Sequence, residues 1–110
     1  MTTPELLRSL RRTEAFLRDA RSHLSQAAEA QFVDGIAEFE EFIEHNELGL
    51  AFDTLESIAT ESQLESQRVF ELLALAAASM GLRDRQRVLD ERLSSMKGLK
   101  YETSLPAEDA

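Results

Sequence analysis

Residues 32–55 read Phe32-Val33-Asp34-Gly35-Ile36-Ala37-Glu38-Phe39-Glu40-Glu41-Phe42-Ile43-Glu44-His45-Asn46-Glu47-Leu48-Gly49-Leu50-Ala51-Phe52-Asp53-Thr54-Leu55, and their pattern decides the fold. Phe32, Ile36, Phe39 and Ile43 fall at i, i+4, i+7 and i+11, so they share one face of an α-helix; Val33 and Phe42 widen that face. The pattern stops at His45-Asn46-Glu47. Asn46 tolerates a left-handed backbone or caps a following helix, and Glu47 suits a first turn. A second stripe then begins, with Leu48, Ala51, Phe52, Leu55, Ile58 and Ala59 on one side. The stretch is a helix, a corner and a helix. Gly35 lies inside the first of these helices, where it weakens helix formation by about 1 kcal/mol relative to Ala; close packing of another helix is the expected reason. Gly49 is expected at a tight helix–helix corner.

Working towards the N-terminus, Thr3-Pro4-Glu5 has the order of an N-cap, a proline at the first helical position and an acid in the first turn. A helix follows, with Leu6, Leu10, Leu17 and Leu24 on one face and Leu7 and Phe16 beside them, and a break is expected near residues 22–26, where Ser22 and Ser25 can cap. Towards the C-terminus, Ser62-Gln63-Leu64-Glu65 has the form of a capping box. The helix it introduces is apolar at Val69, Leu72, Leu73, Ala76 and Met80, and Gly81 followed by Leu82 predicts a Schellman stop. A last helix carries Leu82, Val88, Leu89, Leu93 and Met96 and stops at Gly98. β-Branched residues are few and never alternate, whereas Ala, Leu, Glu, Arg and Gln dominate. The expectation is an all-α chain: a compact antiparallel helical bundle of about five helices over residues 1–98, then a loose tail over 99–110. Phe32, Ile36, Phe39, Leu48, Phe52, Leu55, Val69, Leu72 and Leu73 are the predicted core.

The charge is distributed in blocks. The 110 residues carry a formal net charge of −9. Residues 1–21 contribute +2 and residues 68–110 contribute 0; the acidity sits between them. From residue 22 to residue 67 there is no lysine or arginine, but there are eleven carboxylates: Glu29, Asp34, Glu38, Glu40, Glu41, Glu44, Glu47, Asp53, Glu56, Glu61 and Glu65. An ordinary helical surface mixes both signs, because opposite charges at i,i+4 stabilise the helix and like charges destabilise it by a few tenths of a kcal/mol. A field of one sign attracts basic partners and repels nucleic acid and anionic membranes.

Little in the chain is equipped for catalysis. There is no cysteine, which excludes disulfides and thiolate metal sites. His23 and His45 stand apart and belong to no His-x-x-x-His or Glu-x-x-His pair, so no metal is expected; His45 reads as a helix-terminal residue bonded to the last carbonyls. No Gly-rich phosphate loop and no Gly-x-Ser-x-Gly occurs. The acidic stripe reads as exposed, whereas catalytic carboxylates need burial or converging partners to separate their pKa values. No enzyme activity and no cofactor are expected. Arg8, Arg11, Arg12, Arg18 and Arg21 alternate with acids and apolar residues, which reads as a solvated face rather than a nucleic-acid surface. With no apolar signal segment and no run of 18 apolar residues, a soluble cytoplasmic protein is the expectation.

The segment Phe42–Leu55, with its apolar helix, acid-containing corner and Gly49-Leu50-Ala51 packing, resembles the corner motif of small helical bacterial immunity proteins of the MafI type. Leu72–Ala76 through Met80-Gly81-Leu82 is similar to that family's next helix and stop. The resemblance covers roughly residues 30–96. It implies a cytoplasmic antidote that binds the toxin domain of a secreted polymorphic toxin and neutralises it. The charge block agrees independently, since nuclease toxins are basic because they bind phosphates. The partner-binding candidates are Asp34, Glu38, Glu41, Glu44, Glu47, Asp53 and Glu56. The alternative is a non-enzymatic adaptor, secretion chaperone or regulator that binds a basic protein; an enzyme or metal-binding bundle is the weakest reading. A homo-oligomer is compatible with the sequence and not called for by it.

Overall fold

Local chemistry marks several helix ends in the computed structural model, which describes residues 3–63 and 65–107. Thr3 caps α1 (Pro4–Ser22) by accepting a hydrogen bond from the Leu6 N–H at 3.1 Å. Ser25 caps α2 (Gln26–Gln31) through the Ala28 N–H. The other helices are α3 (Val33–Glu44), α4 (Leu48–Ser62), α5 (Gln67–Ser79) and α6 (Arg83–Lys97). The described residues contain no strand, so the chain is all-α. Its radius of gyration is 13.8 Å, close to the roughly 13 Å of a compact domain of this length.

Two corners share one device. Asn46 has φ of 56°. The Glu47 N–H reaches back to the Phe42 carbonyl and the Asn46 N–H to the Ile43 carbonyl, which is a Schellman motif with asparagine in the left-handed position. At the end of α5 the same pair of bonds runs from Leu82 to Ala77 and from Gly81 to Ala78, with Gly81 at φ of 73°. Both helix stops are where the sequence puts them.

Helices α1 and α5 pack together, as do α3 and α4, and α5 and α6; α4 also touches α1 and α5. The core between them holds Leu17, Phe39, Phe52, Leu55, Phe70, Leu72, Leu73 and Leu93, all fully or almost fully buried. Gly35 belongs to the α3–α4 contact: a methyl group there would meet Ile58 Cδ1 at 3.2 Å, which accounts for a glycine inside a helix.

Four expectations are corrected. There are six helices among the described residues rather than about five, because the helix expected before the corner is broken at Phe32. Phe32 ends α2 and begins α3 with φ of −115° and no side-chain cap. It is half-buried rather than core, and no Gly, Pro or capping residue marks a joint of one residue. Gly49 is not in a tight contact, since nothing lies within 4 Å of the space a side chain would take; left-handed Asn46 makes the corner instead. Ser62 and Glu65 do bond to each other, but Ser62 closes α4 and Ser66 begins α5, so they cap no shared helix; Leu64 lies outside the described residues.

Two further findings concern the ends. Leu6, Leu7 and Leu10 are 50, 41 and 40% exposed. Helix α1 has 19 residues and α5 has 13, a difference of about 9 Å at 1.5 Å per residue. Ser9, Arg12 and Thr13 already bond to Ser79 at the last turn of α5, so the first turn of α1 overhangs its partner. Residues 101–103, expected within a loose tail, are tied to α6. The Thr103 N–H and hydroxyl both donate to the Asp90 carboxylate, and the Tyr101 N–H donates to Ser94 Oγ at 2.9 Å. Residues 108–110 of that predicted tail lie outside the described residues.

Candidate functional site

The acidic block resolves into groups with different neighbours. Asp34, Glu38, Glu41 and Glu44 are exposed on α3, on the side away from buried Ile36, Phe39 and Ile43. Glu47, exposed at the corner, continues them. Among the described residues none of these five carboxylates has a cationic partner. The helix keeps like charges at i,i+3 and i,i+4 with nothing local to offset their repulsion.

Asp53 and Glu56, the remaining sequence candidates, are placed differently. Both face α6, and Arg85 binds them together: its two terminal nitrogens donate to Asp53 at 2.7 Å and to Glu56. The hydrogen bond to Glu56, with that to Asp53, holds the Arg85 guanidinium above its ordinary pKa against the opposing effect of burial. Arg85 also lies over the Phe52 ring, 4.8 Å from its centroid. These two carboxylates therefore add little to the outward field. Glu29 and Glu40 are similarly occupied by Arg21, at 2.7 and 3.4 Å. The Arg21 Nε is buried, and although Glu40 Oε1 is 3.4 Å away the alignment is too poor for a hydrogen bond.

Glu65 is structural. It is buried and accepts hydrogen bonds from the Ser25 N–H at 2.7 Å, the Ser25 hydroxyl at 2.6 Å and the Ser62 hydroxyl. Burial pushes its pKa up, but the Ser25 and Ser62 donors together outweigh burial and hold the carboxyl below its ordinary value.

Between α3 and α4 runs a groove of about 370 Å³. Half-buried Phe32 and Gly35 and buried Ile58 form its inner surface; exposed Glu38, Asp53, Ser57 and Glu61 form its edges. Glu61 was not a sequence candidate. It has no cationic partner among the described residues and accepts only from Ser57 Oγ, at 3.3 Å. The signal for it was present in the charge block, but its place on the groove edge depends on how α3 and α4 cross.

A larger hollow of about 900 Å³ lies between α6 and residues 100–105. It shares no lining residue with the acidic groove. Arg83, Arg87 and Lys100 line it together with Asp90, Glu91 and Glu102, so its charges balance. No three His, Cys, Asp or Glu side chains among the described residues converge as metal ligands. The His45 Nδ1 lies 2.9 Å from the Glu41 carbonyl, a helix-terminal contact. No helix of the described residues is long and apolar enough to cross a membrane. No known protein family, curated protein or solved structure matches this chain.

Proposed function

We propose that this protein is an immunity protein: it binds a basic, secreted toxin domain in the cytoplasm and neutralises it, a nuclease being favoured over other toxin chemistries. The observation that carries this reading is the face of α3. Asp34, Glu38, Glu41 and Glu44, with Glu47 beyond them, stand exposed without a cation among the described residues. Arg21 and Arg85 neutralise acids on either side of that face, so the charge left on it is local rather than a general excess. A basic partner removes the repulsion within the face and gains long-range attraction that speeds its capture. Speed matters for an antidote, because free toxin acts until it is bound. A nuclease carries a basic surface to hold phosphates, and a row of carboxylates on a helix presents a comparable density of negative charge.

The test is neutralisation. Co-expression with a cognate toxin domain is expected to restore growth, and the purified pair to bind with an affinity that falls steeply as salt rises. Reversing Glu38, Glu41 and Glu44 to Lys together lowers the association rate by roughly tenfold or more and flattens the salt dependence, while circular dichroism shows the same helix content. Full protection by the triple variant at unchanged affinity removes α3 as the interface.

A further inference from the structure

Surface charge alone makes a partner approach; it does not seat one. The groove between α3 and α4 combines an apolar interior with acidic edges on both sides. Phe32, Gly35 and Ile58 line the inside, Glu38 stands on the α3 edge, and Asp53 and Glu61 stand on the α4 edge. Of these acids only Asp53 has a cationic neighbour, Arg85, among the described residues. Gly35 keeps the groove open at its inner surface, where any side chain would press on Ile58.

From this geometry we infer that the α3–α4 groove is an anchor site for one arginine side chain of the protein partner. The inference rests on the reading of α3 as the partner face and adds the residue that docks there. An arginine has an aliphatic stem that can lie on Phe32 and Ile58 and a planar guanidinium that stacks on an aromatic ring. Its fork of N–H donors can serve a carboxylate on either edge, Glu38 on one helix or Glu61 on the other. A lysine ammonium is a strongly hydrated point charge with no planar face, and it suits this site less well. Anchors of this kind, an arginine desolvated at the centre of an interface and ringed by weaker contacts, carry a large share of binding energy.

The test does not need the natural partner. Butylguanidinium, which reproduces the arginine stem and head, is titrated into the ¹⁵N-labelled protein and followed by amide chemical shifts. Shifts are expected to concentrate at residues 32–38 and 57–61. Butylammonium is expected to bind about fivefold more weakly, and neutral butylurea to give no localised shifts. Ser57→Phe fills the groove at little cost to the helix, since Ser and Phe have similar helix propensity, and it abolishes the localised shifts. Glu38→Gln with Glu61→Gln removes the edge charge without changing volume and abolishes them too, which keeps the test decisive where Ser57→Phe folds poorly. Glu91→Gln, on α6, leaves them unchanged. Shifts spread evenly along Asp34, Glu41 and Glu44 and insensitive to Ser57→Phe overturn the groove as an anchor but leave the α3 face intact. Equal affinity for butylammonium overturns the choice of arginine. A groove that holds butylguanidinium, with toxin binding indifferent to reversal of Glu41 and Glu44, which lie outside the groove, refutes the α3 partner face instead.

Discussion

Glu65 shows how one carboxylate among eleven acquires a structural task. Its oxygens take three donors from two chain segments, Ser25 at the start of α2, 40 residues away, and Ser62 at the end of α4, three residues away. The Ser25 hydroxyl accepts from Ala28 as the cap of α2 while donating to Glu65, so helix end and cross-link are one network. Removing the carboxylate leaves the Ser25 N–H without its partner. Glu65→Ala is expected to lower unfolding free energy by about 2–3 kcal/mol, measured by urea denaturation at pH 7. The sign of the pH effect follows from the lowered pKa. The stabilisation is present above the ordinary value of 4.5 and is lost as pH falls through the lower folded-state value. Stability of the native protein should therefore fall more steeply below about pH 4.5 than that of Glu65→Gln. Parallel curves for the two proteins would show that the carboxylate is not held in this way.

Individual helices differ in how much of their apolar stripe finds a partner. In α1 the stripe is continuous in sequence, yet Thr13, Leu17 and Ala20 are buried and Leu6 and Leu10 are not. Period and hydrophobicity are the same at both ends; the difference is the length of the helix on the other side. In α6, likewise, Leu89 and Leu93 are buried, while Val88 and Met96 are 59 and 39% exposed. Replacing Leu6 and Leu10 together by Gln is expected to change stability by less than about 1 kcal/mol, whereas Leu17→Ala should cost about 2–5 kcal/mol. Thermal unfolding of the three proteins compares them directly. A large loss from the Leu6 and Leu10 pair would mean that the first turns of α1 are covered in solution.

At the scale of the whole molecule, the fold sorts charge. Cations from α1 and α6 are brought against the acids of α2, α3 and α4, through Arg21 with Glu29 and Glu40 and through Arg85 with Asp53 and Glu56. What remains outside those pairs on α3 and α4 is the face of α3 and, on the far edge of the groove, Glu61. Arg85 thus limits how far the negative surface extends over α4. Arg85→Gln should free Asp53 and Glu56, raise the association rate with a basic partner by a few-fold at low salt, and destabilise the fold by no more than about 1 kcal/mol, since the pair is partly solvated. Stopped-flow association across a salt series is the measurement. A slower association in the variant would assign Arg85 a direct contact with the partner.

The amino-acid sequence by itself determined the features that depend on neighbours a few residues apart. The all-α class follows from period and propensity; the first helix start from Thr3 and Pro4; the stops at Asn46 and Gly81 from residues that tolerate a left-handed backbone. Its charge block also determined that the middle of the chain is negative. Tertiary structure alone decided which of those negative charges stay open. Arg85 lies 32 residues from Asp53 and 29 from Glu56, and nothing in local spacing joins them. The same holds for Glu65, whose role depends on Ser25, for Asp90, which ties residue 103 to α6, and for Glu61, which lines the same groove as Glu38 only because α3 and α4 pack together. Helix formation is governed by short-range backbone bonding and side-chain period, whereas pairing across helices depends on crossing geometry and relative helix length, which no window of sequence contains.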